Sequence, residues 1–117
     1  MLLREPDLDA DARGGAEVLR ALEHLEQGQA AEAADRFAAA RKAPGLAPIE
    51  PWLRAREAQA RLDAGEPELA LALVEAVELA AWSASAVGGD ARLVEGDARR
   101  RTDDLTGAEA AYRAYLR

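Results

Sequence analysis

The chain contains no cysteine and no asparagine, a single histidine (His24) and a single lysine (Lys42). Without cysteine, disulfides and thiolate metal sites are excluded. With one histidine, a Ser-His-Asp triad or a histidine-based zinc site lacks its parts. Aromatic residues make up only 4 %, and the β-branched side chains amount to five Val, one Ile and two Thr in 117 residues. Strands draw on those residue types, so all-β and doubly wound α/β folds are close to excluded. A long apolar run is missing as well. The most apolar stretch, Leu69 to Val87, carries Glu75 and Glu78 in its middle, too interrupted for a membrane span. The opening MLLREPDLDADAR turns acidic before any apolar region develops and does not read as a signal peptide.

What is present in excess is alanine, 30 residues of it. Alanine loses no side-chain entropy in a helix, so the composition predicts an all-α fold. The length suits one ordinary domain or three copies of a small unit. A net charge of −7 predicts repulsion from nucleic-acid phosphates and anionic membranes. The fourteen-to-one excess of arginine over lysine reads as the mark of a GC-rich bacterial genome.

Self-comparison organises the chain. LEQGQAAEAADRFAAA, from Leu25, aligns without gaps on LDAGEPELALALVEAV, from Leu62, at an offset of 37 residues. Gly28 matches Gly65, Ala33 matches Ala70, Phe37 matches Val74 and Ala40 matches Val77. A third copy follows at an offset of 38 through Gly96, Ala98, Ala108, Tyr112 and Tyr115, with Asp103 in place of the turn glycine. Each copy reads as two helices around a tight turn. Val18, Leu19, Leu22 and Leu25 have helical spacing in a helix over 16–27. Gly28 stands where a helix C-terminus calls for positive φ, and a second helix runs over 30–42. Pro51 and Pro67 open the helices of the second copy, the latter ending near Trp82–Ser85. Helices over 85–101 and from Thr106 or Gly107 onward complete the third. Residues 1–13 read as an acidic arm, and the copies span about 14–47, 50–84 and 85–117. Small residues recur where paired helices meet, Ala21, Ala58 and Gly96 on the first helices and Ala33, Ala70 and Ala108 on the second.

These residues resemble the tetratricopeptide repeat. That family's unit is a helix pair with a small residue in the first helix, a turn glycine, then Ala, an aromatic and a second Ala in the second helix. Here they are Ala21, Gly28, Ala33, Phe37 and Ala40; then Ala58, Gly65, Ala70, Val74 and Val77; then Gly96, Asp103, Ala108, Tyr112 and Tyr115. The 37–38-residue spacing is longer than the family's 34, and the closing Pro of each unit is displaced or absent. The runs WLRAREAQARLDAGEPELALALVE and DARLVEGDARRRTDDLTGAEAAYRAYL are also similar to the helical repeats of bacterial envelope proteins. Those include soluble lytic transglycosylases and outer-membrane assembly lipoproteins, but no catalytic Glu-Ser context accompanies the runs.

The tetratricopeptide resemblance implies an all-α, right-handed superhelix of three helix hairpins whose first helices line a concave groove. The groove positions carried over are Val18, Leu22 and Leu25, then Trp52, Ala55, Gln59 and Leu62, then Leu93, Asp97, Arg100 and Arg101. An aliphatic floor beside one aromatic and two guanidinium groups suits a peptide or partner helix with an acidic end. Against each stands a plainer role. Leu22 and Leu25 fit the core, Trp52 packs on the first copy or faces a ligand, and Arg99–Arg100–Arg101 complement a helix dipole. His24 reads as a surface residue, and Asp103–Asp104 as turn and N-cap chemistry. Tyr112, Tyr115 and Leu116 on the last helix form an apolar set suited to self-association. The expectation is a non-catalytic protein-interaction scaffold without metal or cofactor, making no nucleic-acid contact and no membrane insertion. The alternative is a self-associating spacer within a larger bacterial envelope enzyme or assembly factor.

Overall fold

A computed structural model describes residues 5–75 and 86–116. Among the described residues there are six α-helices and no strand, as the alanine-rich composition predicts. They are α1 (Glu5–Glu26), α2 (Ala30–Ala40), α3 (Glu50–Asp63), α4 (Pro67–Glu75), α5 (Ala86–Arg101) and α6 (Leu105–Tyr115). A 3-10 segment, Pro44–Ile49, precedes α3. Consecutive helices pack side by side, α3 also meets α5, and the 3-10 segment rests on α1 and α3. The molecule measures 54 × 30 × 19 Å. Its least dimension is that of two helix layers, each about 10 Å across. No described helix is long and apolar enough to cross a membrane.

The segment expected to be an acidic arm is helical where it is described. Residues 5–13 form the start of α1, so the first helix is 22 residues long. Pro6 stands in the first turn, where its missing N–H has no intrahelical use. The expected end of α4 near Trp82–Ser85 lies outside the described residues, as do Val77 and Trp82.

The three turns α1–α2, α3–α4 and α5–α6 have one hydrogen-bond pattern. Gly28, Gly65 and Asp103 adopt positive φ of 75°, 82° and 66°. At each turn the N–H of that residue donates three residues back, to Leu25, Leu62 and Arg100. The following N–H donates five back, from Gln29 to His24, Glu66 to Arg61 and Asp104 to Arg99, at 2.8 Å in all three. This is the Schellman closure of a helix C-terminus. The residue that completes it also begins the next helix, for the carbonyls of Gln29, Glu66 and Asp104 accept from Ala33, Ala70 and Ala108. One short turn thus stops one helix and starts its neighbour.

Two apolar cores lie on either side of α3. Ala21, Ala33, Ala34, Phe37, Ala40, Leu53 and Ala60 form the first, with Val18, Leu25, Leu46 and Trp52 packed on its margin. Ala55, Ala58, Leu62, Ala70, Val74, Ala91, Val94 and Ala98 form the second. Six of the fourteen residues of α3 are buried, Glu57 among them, because the helix faces a core on both sides. The small residues aligned at 21, 58, 96 and at 33, 70, 108 are all buried, which lets the axes approach.

Candidate functional site

The 37- and 38-residue offsets define columns of equivalent positions on α1, α3 and α5, and the structure sorts the expected binding residues along them. The column Leu22, Gln59, Asp97 lies at the surface or half-buried in all three helices. In the column Leu25, Leu62, Arg100, Leu25 is half-buried on the first core and Leu62 is 1 % exposed within the second, whereas Arg100 stands in solvent. Leu62 therefore belongs to the core and offers no surface to a partner. In the column Val18, Ala55, Leu93, the first two pack on the cores and Leu93 is exposed. The α3 members of these last two columns are covered by Ala91, Val94 and Ala98 of α5.

Trp52 packs on the margin of the first core, as one of its two expected roles requires. One edge meets Phe37, with ring centroids 6.3 Å apart and planes at 86°. The guanidinium of Arg56 lies over the ring, 5.3 Å from the centroid. Such a cation over indole is stabilised by the ring quadrupole. Among the described residues no carboxylate pairs with Arg56, whereas Arg54 and Arg61 on the same helix each have one. Arg56 was passed over in the sequence, and Leu19, which is 64 % exposed, was read there only for its helical spacing. The signal was available: Arg56 follows Trp52 by four, one helical turn, and aligns with Leu19 at the 37-residue offset.

Several polar candidates are already engaged. The Gln59 amide donates to Asp63 Oδ1 at 3.0 Å. Asp97 Oδ1 accepts from the Tyr112 hydroxyl at 2.5 Å, and Arg100 stands 4.0 Å from the same oxygen. Burial, then the hydrogen bond and charge of Asp97, push the Tyr112 phenol above its ordinary value. Arg101 Nη1 donates to the Leu62 carbonyl at 2.7 Å, capping the C-terminal turn of α3. Arg100, its side chain 59 % exposed, stands near Asp97 on its own helix and the Tyr112 hydroxyl on α6. Leu116 is 79 % exposed, and the side chain of Tyr115 lies outside the described residues.

A column that sequence reasoning did not use carries the densest electrostatics. His24, Arg61 and Arg99 stand in the last turns of α1, α3 and α5, and each meets the residue five positions on. His24 Nδ1 lies 2.6 Å from Gln29 Oε1, Arg61 Nη1 donates to Glu66 at 3.2 Å, and Arg99 Nη1 donates to Asp104 at 2.9 Å. Burial opposes the charge of Arg61, but hydrogen bonds and attraction from Asp35 and Glu66 outweigh it and raise its pKa. Arg99 is raised in the same way, burial being overcome by Glu95, Asp104 and Glu75. The Asp104 carboxyl falls below its usual range because it accepts from the Gly107 N–H and then from Arg99. Its N-cap role is the one expected from sequence, with the Gly107 N–H donating to Oδ1 at 2.9 Å.

Two buried carboxylates occupy equivalent positions. Glu57 accepts from Arg41 Nε at 2.5 Å, which ties α3 to the end of α2. Glu95 accepts from Arg99 Nε at 3.1 Å, while its Oε1 has no hydrogen-bond partner. Among the described residues no group of three His, Cys, Asp or Glu is placed to hold a metal ion. Comparison with family models, curated proteins and solved structures gives no match to this chain.

Proposed function

We propose that the chain is a non-catalytic interaction scaffold, a right-handed superhelix of three tetratricopeptide-like helix hairpins that takes a peptide or partner helix along α1, α3 and α5. The hairpin reading is supported by three turns with one hydrogen-bond pattern at 37- and 38-residue spacing. The observation that carries the binding reading is the surface line of Leu19 and Leu22 on α1, then Arg56 stacked on Trp52 in α3. It combines exposed aliphatic area, 64 % and 40 % for the two leucines, with a guanidinium that no carboxylate among the described residues satisfies. An apolar stretch followed by an acidic residue would cover the first and pair with the second.

Selection from a random peptide display library on the immobilised protein, then titration of an enriched peptide, tests the proposal. Leu22→Asp combined with Arg56→Glu should weaken that peptide by about tenfold or more, roughly 1.4 kcal/mol, with far-ultraviolet circular dichroism unchanged. Leu69→Asp, on exposed α4 surface, should leave it intact. Absence of enrichment, or equal loss with Leu69→Asp, overturns the reading.

A second reading, a self-associating spacer module, is favoured by α6. Leu105 and Leu116 are 67 % and 79 % exposed and stand eleven residues apart, on one line of the helix. Light scattering over a concentration series decides it. A dimer lost in Leu105→Asp supports association through α6, and a strict monomer at millimolar concentration removes it.

A further inference from the structure

We propose that Arg61 and Arg99 are latches that set the angle between successive helix pairs and let ionic strength adjust it. Both arginines do the same thing with the same atoms. Nη1 stays within its own turn, on Glu66 or Asp104, while Nη2 reaches back to the second helix of the preceding pair. Arg61 Nη2 donates to Asp35 on α2 and Arg99 Nη2 donates to Glu75 on α4, each at 2.7 Å. In α1, which has no preceding pair among the described residues, the equivalent residue is His24. Its shorter side chain meets only Gln29.

Three physical features make this a latch. The contact inside the turn fixes the arginine rotamer, so the reach across the interface is made by an already ordered fork. Side-chain exposure of 18 % for Arg61 and 23 % for Arg99 fits that anchoring. Second, the interfaces themselves are rich in alanine, with Ala55, Ala58, Ala91 and Ala98 meeting in the second core. Methyl groups allow close approach but interlock little, so a small rotation of one pair on the next meets a shallow resistance. Third, the receiving carboxylates are open to solvent, 70 % for Asp35 and 49 % for Glu75. Salt reaches and screens them, and although Glu66 and Asp104 are also open, at 37 % and 44 %, the turn backbone holds those two beside their arginines while nothing covalent and local holds Asp35 or Glu75. A surface running across α1, α3 and α5 changes curvature when the latches loosen, whatever binds there.

The absence of cysteine allows paired spin labels at Glu32→Cys on α2 with Glu68→Cys on α4, and at Glu68→Cys with Ala110→Cys on α6, all exposed positions. Pulsed electron paramagnetic resonance then reads the distance within each pair. Asp35→Asn should broaden and lengthen the 32–68 distribution and leave 68–110 alone. Glu75→Gln should do the reverse. Raising sodium chloride from about 0.05 to about 1 M, where the screening length falls to about 3 Å, should broaden both in the parent protein. Distributions that ignore both the substitutions and the salt overturn the proposal. So does a change that accompanies lost helicity, or one that a single substitution produces in both pairs, because those residues would then hold the fold as a whole.

Discussion

Gly96 occupies the position that alanine takes at 21 and 58, and the ring of Tyr112 is the reason. A Cβ at Gly96 would lie 2.5 Å from Tyr112 Cε1 and 2.6 Å from Cδ1. Phe37 holds the matching place on α2 and tolerates Ala21. Tyr112 differs in having a hydroxyl, bound to Asp97 on α5, one residue from the glycine, and that bond draws the ring across the backbone. Gly96→Ala should therefore destabilise by about 1–3 kcal/mol, the usual cost of forcing extra volume into a packed contact. With Tyr112→Phe, which frees the ring to retreat, the double variant should cost less than the sum of the singles in urea unfolding. The phenol supplies a pH test at the same residue. Because burial and then Asp97 raise its folded pKa, the neutral form stabilises below the ordinary tyrosine range, and that contribution is lost as pH rises through the folded value. Tyr112→Phe should flatten the alkaline limb of a melting-temperature profile, leaving the profile near neutrality unchanged in shape.

The elements are bounded by the turns, and the turns differ in one informative way. Gly28 and Gly65 take positive φ without a Cβ, while Asp103 takes it with one. The left-handed region costs an ordinary residue about 1–2 kcal/mol, partly offset by the flexibility glycine adds to the unfolded chain. Asp103→Gly should stabilise by about 0.5–1 kcal/mol and Gly65→Ala should destabilise by a similar amount, both read from urea midpoints at constant slope. Asp104, one residue on, caps α6. Asp104→Ala should lower stability by about 1 kcal/mol, and Asp104→Asn, which keeps the acceptor, by less. Since the Gly107 N–H and then Arg99 depress the Asp104 pKa, its ionised-form stabilisation is complete above the usual aspartate range. It disappears as pH falls through the depressed value, so Asp104→Asn should lose less on acidification than the parent. The helices, their turn residues and the Asp104 cap were legible because each is a local property, written in period 3.6, Gly or Pro at boundaries and a constant offset. The inward turn of Leu62 was not, since its helical face carries both core positions and the expected groove positions and only the covering α5 decides between them. Nor was the bond of Arg101 to the Leu62 carbonyl, 39 residues away, which no local pattern encodes.

At the scale of the whole molecule, α3 is the element through which the two cores must communicate. Leu53 points into the first core and Leu62 into the second, both essentially unexposed. Arrays stabilised by nearest-neighbour packing unfold together only as far as each interface couples adjacent units. Here the coupling has a covalent route, because one helix cannot lose its register on one face and keep it on the other. Truncating a buried leucine to alanine costs about 2–5 kcal/mol, a large share of the roughly 5–15 kcal/mol that holds an ordinary domain. Leu53→Ala should thus lower hydrogen-exchange protection in α5, which touches the second core alone, as well as in α1 and α2. Leu62→Ala should lower protection in α2 in return. The control is Ala111→Gly on α6, outside both cores, whose loss should stay within α5 and α6. If Leu53→Ala instead leaves α5 protection at parental values, the cores open independently. A disturbance of α1 would then not be transmitted past α3.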